Sequence, residues 1–335
     1  MNPRSYLALV RAQLTAFLRS KMAVFWSLAF PLGFLFLFGG IMARGNPRAA
    51  TYMLPGLLTT MLTSGSLFGI AIPMVLARET GVLRRFRVTP TNALTLVLAH
   101  GTSGLVQNGL TFAMLLVAGR FFFHTEVAGA AGALFVAFLI SAFAIIPIGL
   151  LVGSAAKDMR TAPPIVNLLF FPLMFLSGSA FPFALLPDAV KAFARFLPTT
   201  YIVETLQGVI VRGEGLDQLL GPLGVLVLLG LTGITLASLL FRWEGTEPLS
   251  RRSRLTIAAA FAIALAVAGF AAPAFRMSEM PGRRAVEPGE AKGVVQVLKG
   301  ATVLDGLGGR IENARVVIRD HRIESLAPDT GDPVP

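Results

Sequence analysis

Residues 78–90 read RETGVLRRFRVTP: four arginines, one glutamate and a closing proline, set between two long and almost uncharged apolar stretches. A strip this basic needs a place outside lipid. Val82, Leu83 and Phe86 can share one side of a short helix, with Arg84, Arg85 and Arg87 around the rest. Two readings fit those residues. The strip can fix orientation and touch anionic lipid, or it can be a docking helix for a cytoplasmic partner, with apolar anchors inside a charged rim.

The composition places the strip in a membrane protein. Of 335 residues, 54% are hydrophobic and 14% charged, where a soluble domain carries about a quarter charged. The expected fold class is therefore an all-α polytopic membrane protein. With no cysteine, disulfides, thiolate metal sites and cysteine nucleophiles are excluded. His100, His124 and His321 are too scattered to suggest a metal site. The net charge of +11 could point to nucleic acid, but its distribution argues against that. Residues 1–275 hold 20 Lys+Arg against 9 Asp+Glu, whereas residues 276–335 hold 9 of each. The excess flanks apolar runs, as topology signals do, and no nucleic-acid partner is required.

A spanning helix needs about 20 apolar residues. Runs of that kind lie near 22–43, 52–76, 93–119, 127–153, 163–180, 220–241 and 255–275. The first 21 residues carry Arg4, Arg11, Arg19 and Lys21 and are not a cleavable signal. Tyr6, Val10, Leu14, Phe17 and Leu18 fall on one helical face, opposite Arg4, Arg11, Thr15 and Arg19, as in an interfacial amphipathic helix. With the N-terminus in the cytoplasm, 14 basic residues fall inside, four of them just after the sixth run, and 6 fall outside up to that run. The strip is then the cytoplasmic loop between the second and third spans.

Further stretches give the strip a context. YMLPGLLTTMLTSGSLFGIAIPMVLARE precedes it; GLLVGSAAKD, FFPLMFLSGSAFPFALLP and FLPTTYIVETLQGVI follow in order. A PG opening the second span, R-E-x-G after it, a V-T-P turn, L-S-G ending the fifth, F-P and L-P just outside, then P-x-x-Y: this succession, from Tyr6 to Trp243, resembles the membrane subunits of ABC-2 type exporters. The resemblance implies a six-helix exporter domain. It implies that Glu79, Gly81, Leu83, Arg84, Arg85 and Phe86 form the coupling helix that sits in a groove of an ABC ATP-binding subunit. Tyr6–Arg19 is similar to the family's connecting helix, and Phe181–Gly213 to its short external helices. By the same analogy two permeases, as a homodimer or heterodimer, pair with two ATPases in the plasma (inner) membrane.

The residues agree with a separate energy source. No G-x-x-x-x-G-K-[ST] occurs, so ATP and Mg are expected in the partner and no cofactor in this chain. The first six runs hold almost no Asp, Glu or His for an ion relay, and His100 reads as a packed or interfacial residue. Ser103, Gln107 and Thr111 form a polar stripe on the third span; the stripe, like Asn167 on the fifth, serves either helix–helix hydrogen bonding or a substrate pathway.

The organisation expected is an interfacial helix at 1–21, a six-span permease at 22–243, a loop and seventh, signal-peptide-like apolar run at 244–275, and an exported tail at 276–335. Ala272-Pro273-Ala274 gives that seventh run an A-x-A end. VVQVLKGATVLDGLGGRIENARVVIRDHRIESLAP alternates like short strands. It resembles the first strands of amidohydrolases, with His321 where that family's hairpin has Gly, and without the metal-binding H-x-H that follows there. A gene fusion or a truncated product would give this pattern. The leading expectation is therefore the permease subunit of an exporter of drugs, lipids or glycolipids, not itself an enzyme. Its rivals are a membrane-anchored amidohydrolase fusion whose catalytic part is missing, and a scaffold without transport.

Overall fold

The computed structural model describes residues 3–40, 47–83, 93–181, 183, 186–240, 295–304, 310–319 and 322–328. Two compact units divide the chain, 1–278 and 279–335.

In the first unit, α1 (Pro3–Arg19) meets α2 (Lys21–Leu37) at a bend of 85°. Ser20 makes the corner: it is extended (φ −86°, ψ 95°) and its Oγ accepts from the Ala23 N–H at 3.2 Å, which caps the new helix. Then come α3 (Ala49–Glu79), α4 (Leu94–Phe123), α5 (Ala131–Ala155), the short α6 (Ala162–Phe175), α7 (Asp188–Ala194), α8 (Pro198–Gln207) and α9 (Leu220–Leu240). α3, α4, α5 and α9 are long and apolar enough to cross a bilayer, and the bent α1–α2 pair would make a fifth span. This first unit is an all-α polytopic membrane domain.

The fifth apolar run, expected to span at 163–180, forms only the 14 residues of α6. At 1.5 Å per residue that is about 21 Å, short of the ~30 Å hydrocarbon core. Its C-terminal end is the L-S-G turn: Gly178 is left-handed (φ 87°), and Ser179 Oγ donates to the Met174 carbonyl at 2.8 Å. The α1 face also serves more than lipid. Leu9 is buried, Tyr6, Val10, Leu14 and Phe17 are half-buried, and only Leu18 of the expected apolar face is exposed, because α1 packs on α4.

Wide π turns at Phe25–Ala29 and Leu67–Ala71 each lie just before a proline, Pro31 and Pro73. A proline ring collides with the carbonyl four residues back and offers no N–H; a widened turn relieves both within a continuous helix.

One core joins these helices. Leu54, Leu58 and Leu62 of α3, Leu115 of α4, Ile145 and Leu150 of α5, Tyr201, Ile202 and Leu206 of α8 and Leu226 of α9 are all buried in it. α5 is the centre, packed along α9 on one side and α3 on the other. Gly149 and Gly153, one turn apart on α5, permit the α3 contact. A Cβ on Gly149 would stand 1.9 Å from the Ser66 carbonyl oxygen, and one on Gly153 2.8 Å from Met74 Sδ. Without a hydrophobic driving force between helices in lipid, such close packing supplies the attraction.

In the second unit β1 (Val295–Leu304), β2 (Arg310–Arg319) and β3 (Arg322–Pro328) form an antiparallel sheet in chain order. The expected hairpin is the β2–β3 pairing, with Arg319 opposite Arg322. Asp320 and His321, expected in its turn, lie outside the described residues, as do the seventh apolar run at 255–275 and the linker before β1.

Candidate functional site at the C-terminal end of α3

The last turn of α3 carries the first residues of the RETG stretch. Arg78 is buried at 5% exposure. Its guanidinium donates from Nη2 to the Gly153 carbonyl at 2.7 Å, and from Nη1 to the Ala156 carbonyl. The Ser154 carbonyl lies further off at 3.4 Å. These oxygens belong to the C-terminus of α5, where the last carbonyls have no intrahelical donor and the helix dipole is negative. A charge that counts toward topology in the sequence is here a cap on another helix.

Glu79 points at the same region. Its Oε1 accepts the Met159 N–H at 2.9 Å, in the connection between α5 and α6. That connection is organised by Asp158, whose Oδ1 accepts from the Arg160 N–H at 3.1 Å and from the Thr161 N–H and hydroxyl, both at 2.9 Å. The side-chain and backbone hydrogen bonds from Thr161 hold the Asp158 carboxyl below the usual carboxylate range.

After Glu79 the helix stops. Thr80 Oγ1 donates back to the Leu76 carbonyl at 2.9 Å, and Gly81, at φ 74°, turns the chain with its N–H on the Arg78 carbonyl. No atom outside the turn comes within 4 Å of a Cβ built at Gly81, so the left-handed backbone alone explains glycine there. Leu83 is then buried at 1% exposure, and Val82 stands out at 41%. The sequence reading put Leu83 on the face offered to a partner. That reading put Val82 and Phe86 on the same side; of the two described residues, Val82 and Leu83, Val82 is the exposed one. Arg84, Arg85 and Phe86 lie outside the described residues.

A second polar contact ties α1 to the start of α4. Tyr6 Oη and Thr102 Oγ1 are 2.6 Å apart, and Gln13 Nε2 is 3.0 Å from His100 Nδ1. The same Nδ1 is 2.9 Å from the Leu96 carbonyl, so the imidazole tautomer decides which contact is a hydrogen bond.

The residues read as a possible pathway do not converge. Ser103 Oγ donates to the Ala99 carbonyl of its own helix at 2.9 Å. The Thr111 hydroxyl is shared between the Gln107 carbonyl at 3.2 Å and, across to α2, the Ser27 carbonyl at 2.9 Å. Asn167 Nδ2 donates to the Pro163 carbonyl at 2.9 Å within α6. Gln107 is half-buried. A lateral cavity of about 430 Å³ lies between α4, α5 and α9, bounded by Gly101, Thr102, Phe143, Pro147 and Ile234 among others, and includes none of those four residues. Two polar features passed unnoticed in the sequence. Asn108 is buried, with its Oδ1 beside Gly65 of α3. Glu204, also buried, pairs with Arg212 at 2.8 Å, and Arg212 pairs with Glu214 at 2.8 Å. A carboxylate within an apolar run signals such a pairing, but the run alone does not say with which partner.

Comparison with known proteins agrees with this architecture. A family model described as ABC-2 type transporter matches residues 4–211. The Inner membrane transport permease YhhJ of Escherichia coli (strain K12) is 28% identical over 209 residues, 61% of this chain and 51% of that protein. YvfS of Bacillus subtilis (strain 168), whose name describes a transport permease, is 26% identical over 199 residues, 56% of this chain and 78% of that one. A protein named "Probable multidrug ABC transporter permease YbhS" from Escherichia coli (strain K12) is 24% identical over 174 residues, 50% of this chain and 46% of its own. The chain spans about half the length of the first of these relatives and less than half of the last. With the family model covering more than half of its residues, this chain belongs to the ABC-2 type transporter family.

Proposed function

We propose that this chain is the membrane subunit of an ATP-driven exporter that moves a drug-, lipid- or glycolipid-like cargo out across the plasma (inner) membrane. ATP and Mg are bound by a separate ABC ATP-binding subunit, which docks on residues 79–86 from the cytoplasm, and two permeases pair to make the pathway. The carrying observation is the turn after α3. It is anchored to α5 through Arg78 and to the α5–α6 connection through Glu79, and it presents Val82 outward ahead of three arginines. An exposed apolar side chain beside a basic rim is the chemistry of a helix laid into a groove on a partner. The name of the multidrug relative supports the cargo class, and the charge bias supports a cytoplasmic N-terminus.

The test replaces Val82 and Phe86 together by Asp. Co-purification with the ABC ATP-binding subunit should fall at least tenfold, which corresponds to about 1.4 kcal/mol of docking free energy, with membrane insertion unchanged. Undiminished co-purification would overturn the docking assignment.

A further inference from the structure

We infer that Arg78 and Glu79 are positioning residues that make the α5–α6 connection move with the docking turn, so that movement at one cytoplasmic loop is delivered to three membrane helices at once. This rests on the proposed docking of an ATP-binding subunit at residues 79–86.

The geometry carries the inference. Arg78 and Glu79 are adjacent, yet they grip different structures. Arg78 holds the C-terminal carbonyls of α5, those of Gly153 and Ala156. Glu79 holds the backbone of Met159 in the connection beyond. Both use charged groups on backbone partners, which are the stronger kind of hydrogen bond. The connection cannot simply flex away from this grip. Asp158 closes it with three hydrogen bonds, and the Ala162 N–H bonds the Asp158 carbonyl at 3.0 Å, which joins the connection to the first turn of α6. Next to it, Ala156, Ala162 and Val75 of α3 are buried together in one small apolar cluster. The end of α3 and the α5–α6 connection thus form one body, held by side chains at Arg78, Glu79 and Asp158 and packed beneath. A push on the turn at Gly81 reaches α3 directly, α5 through Arg78, and α6 through Glu79 and Asp158. A physical coupling claim requires an element that both ends bias; here it is this joined pair of loops.

Glutamine at 79 keeps an acceptor oxygen and alanine does not, which separates positioning from charge. The full chain is placed in lipid nanodiscs with its ATP-binding subunit. Amide hydrogen exchange of residues 157–162 is then compared with the subunit absent, docked, and trapped with ADP and vanadate. In the wild type, docking and trapping should slow or speed exchange of this connection, although it lies outside the docking turn. The subunit is added in excess, so that every variant is compared fully occupied, because Glu79 also lies in the docking segment. Glu79→Gln should keep that response, and Glu79→Ala should lose it. A wild-type response in fully occupied Glu79→Ala overturns the inference and leaves the docking reading standing. If the subunit fails to bind the wild type, the docking reading falls, and this inference with it.

Discussion

Arg78 and Leu83 exchange the roles that their side chains suggest. Arginine in a basic strip beside a membrane reads as an exposed topology signal, and leucine in the same strip reads as an anchor for a partner. In the fold the arginine is buried on helix-end carbonyls and the leucine is buried in the core, while Val82 is left outside. The physical reason is the phase of the chain at Gly81. Gly81 ends α3 and sets the direction in which the chain continues, and Val82 and Leu83, adjacent and so about 100° apart on a helix, then face different ways. Sequence does show that the segment is special, through R-E-x-G, but the direction each residue takes depends on partners 75 and more positions away, at Gly153, Ala156 and Met159. Replacing Arg78 by Met should expose the difference. Methionine has similar length and no donor, so the α5 terminus loses its cap. Hydrogen bonds from a charged donor contribute about 1.5–3 kcal/mol each; water at the cytoplasmic edge can recover part of this, so we expect a net loss of about 2 kcal/mol. The detergent-solubilised protein should unfold several degrees lower than wild type, with Arg78→Lys between the two. An unshifted melting temperature in Arg78→Met would mean that the cap is dispensable.

Among the elements, helix positions were legible and helix lengths less so. The apolar runs at 52–76, 93–119, 127–153 and 220–241 correspond to α3, α4, α5 and α9, because a membrane leaves a long uncharged run little choice but a helix. The fifth run, already the short one in sequence, is shorter still in structure, since the L-S-G turn stops it regardless of the apolar residues beyond. The contacts between helices were present in the sequence only as spacing. GLLVG contains glycines four apart, the pattern that lets two membrane helices approach backbone to backbone. Which helix fills the groove is a fact of the fold, and it is α3 at Ser66, Ala71 and Met74. Gly149→Leu should therefore separate α3 from α5. The Cβ alone would overlap the Ser66 carbonyl oxygen at 1.9 Å, and forced overpacking of this kind costs about 1–3 kcal/mol or more. Gly132→Ala, where nothing lies within 4 Å of the added Cβ, should be neutral or slightly stabilising through helix propensity. Size-exclusion profiles and melting temperatures of the two variants would check the pair; equal behaviour would remove the close approach from the account of what holds the bundle.

On the scale of the whole molecule, the basic surplus and the family match both fall in the part of the chain before residue 276. The surplus of basic residues belongs to residues 1–275, and the charges of 276–335 balance. The family match stops at residue 211, and the last long helix of the first unit closes at Leu240. The sheet of β1, β2 and β3 belongs to a separate compact unit. Its likeness to the opening strands of an amidohydrolase is a matter of sequence pattern, and it carries little of the equipment for that chemistry. A metal-assisted hydrolase needs ligands that hold the ion and a base that activates water. Residues 276–335 contain one histidine, His321, and nine scattered carboxylates, of which Asp305, Glu312, Asp320 and Glu324 fall between Val295 and Pro328. Asp320 and His321 fall in sequence between Arg319 and Arg322, which pair across the β2–β3 hairpin. Stopping the chain after Trp243 should therefore leave membrane insertion, binding of the ATP-binding subunit and its vanadate-sensitive ATP hydrolysis at wild-type levels. Adding zinc to the full chain should produce no amide or ester hydrolysis above that of the shortened one. Loss of subunit binding or of ATP hydrolysis in a shortened protein that still inserts normally would show that the second unit belongs to the transporter, and zinc-dependent hydrolysis by the full chain alone would restore the enzyme reading.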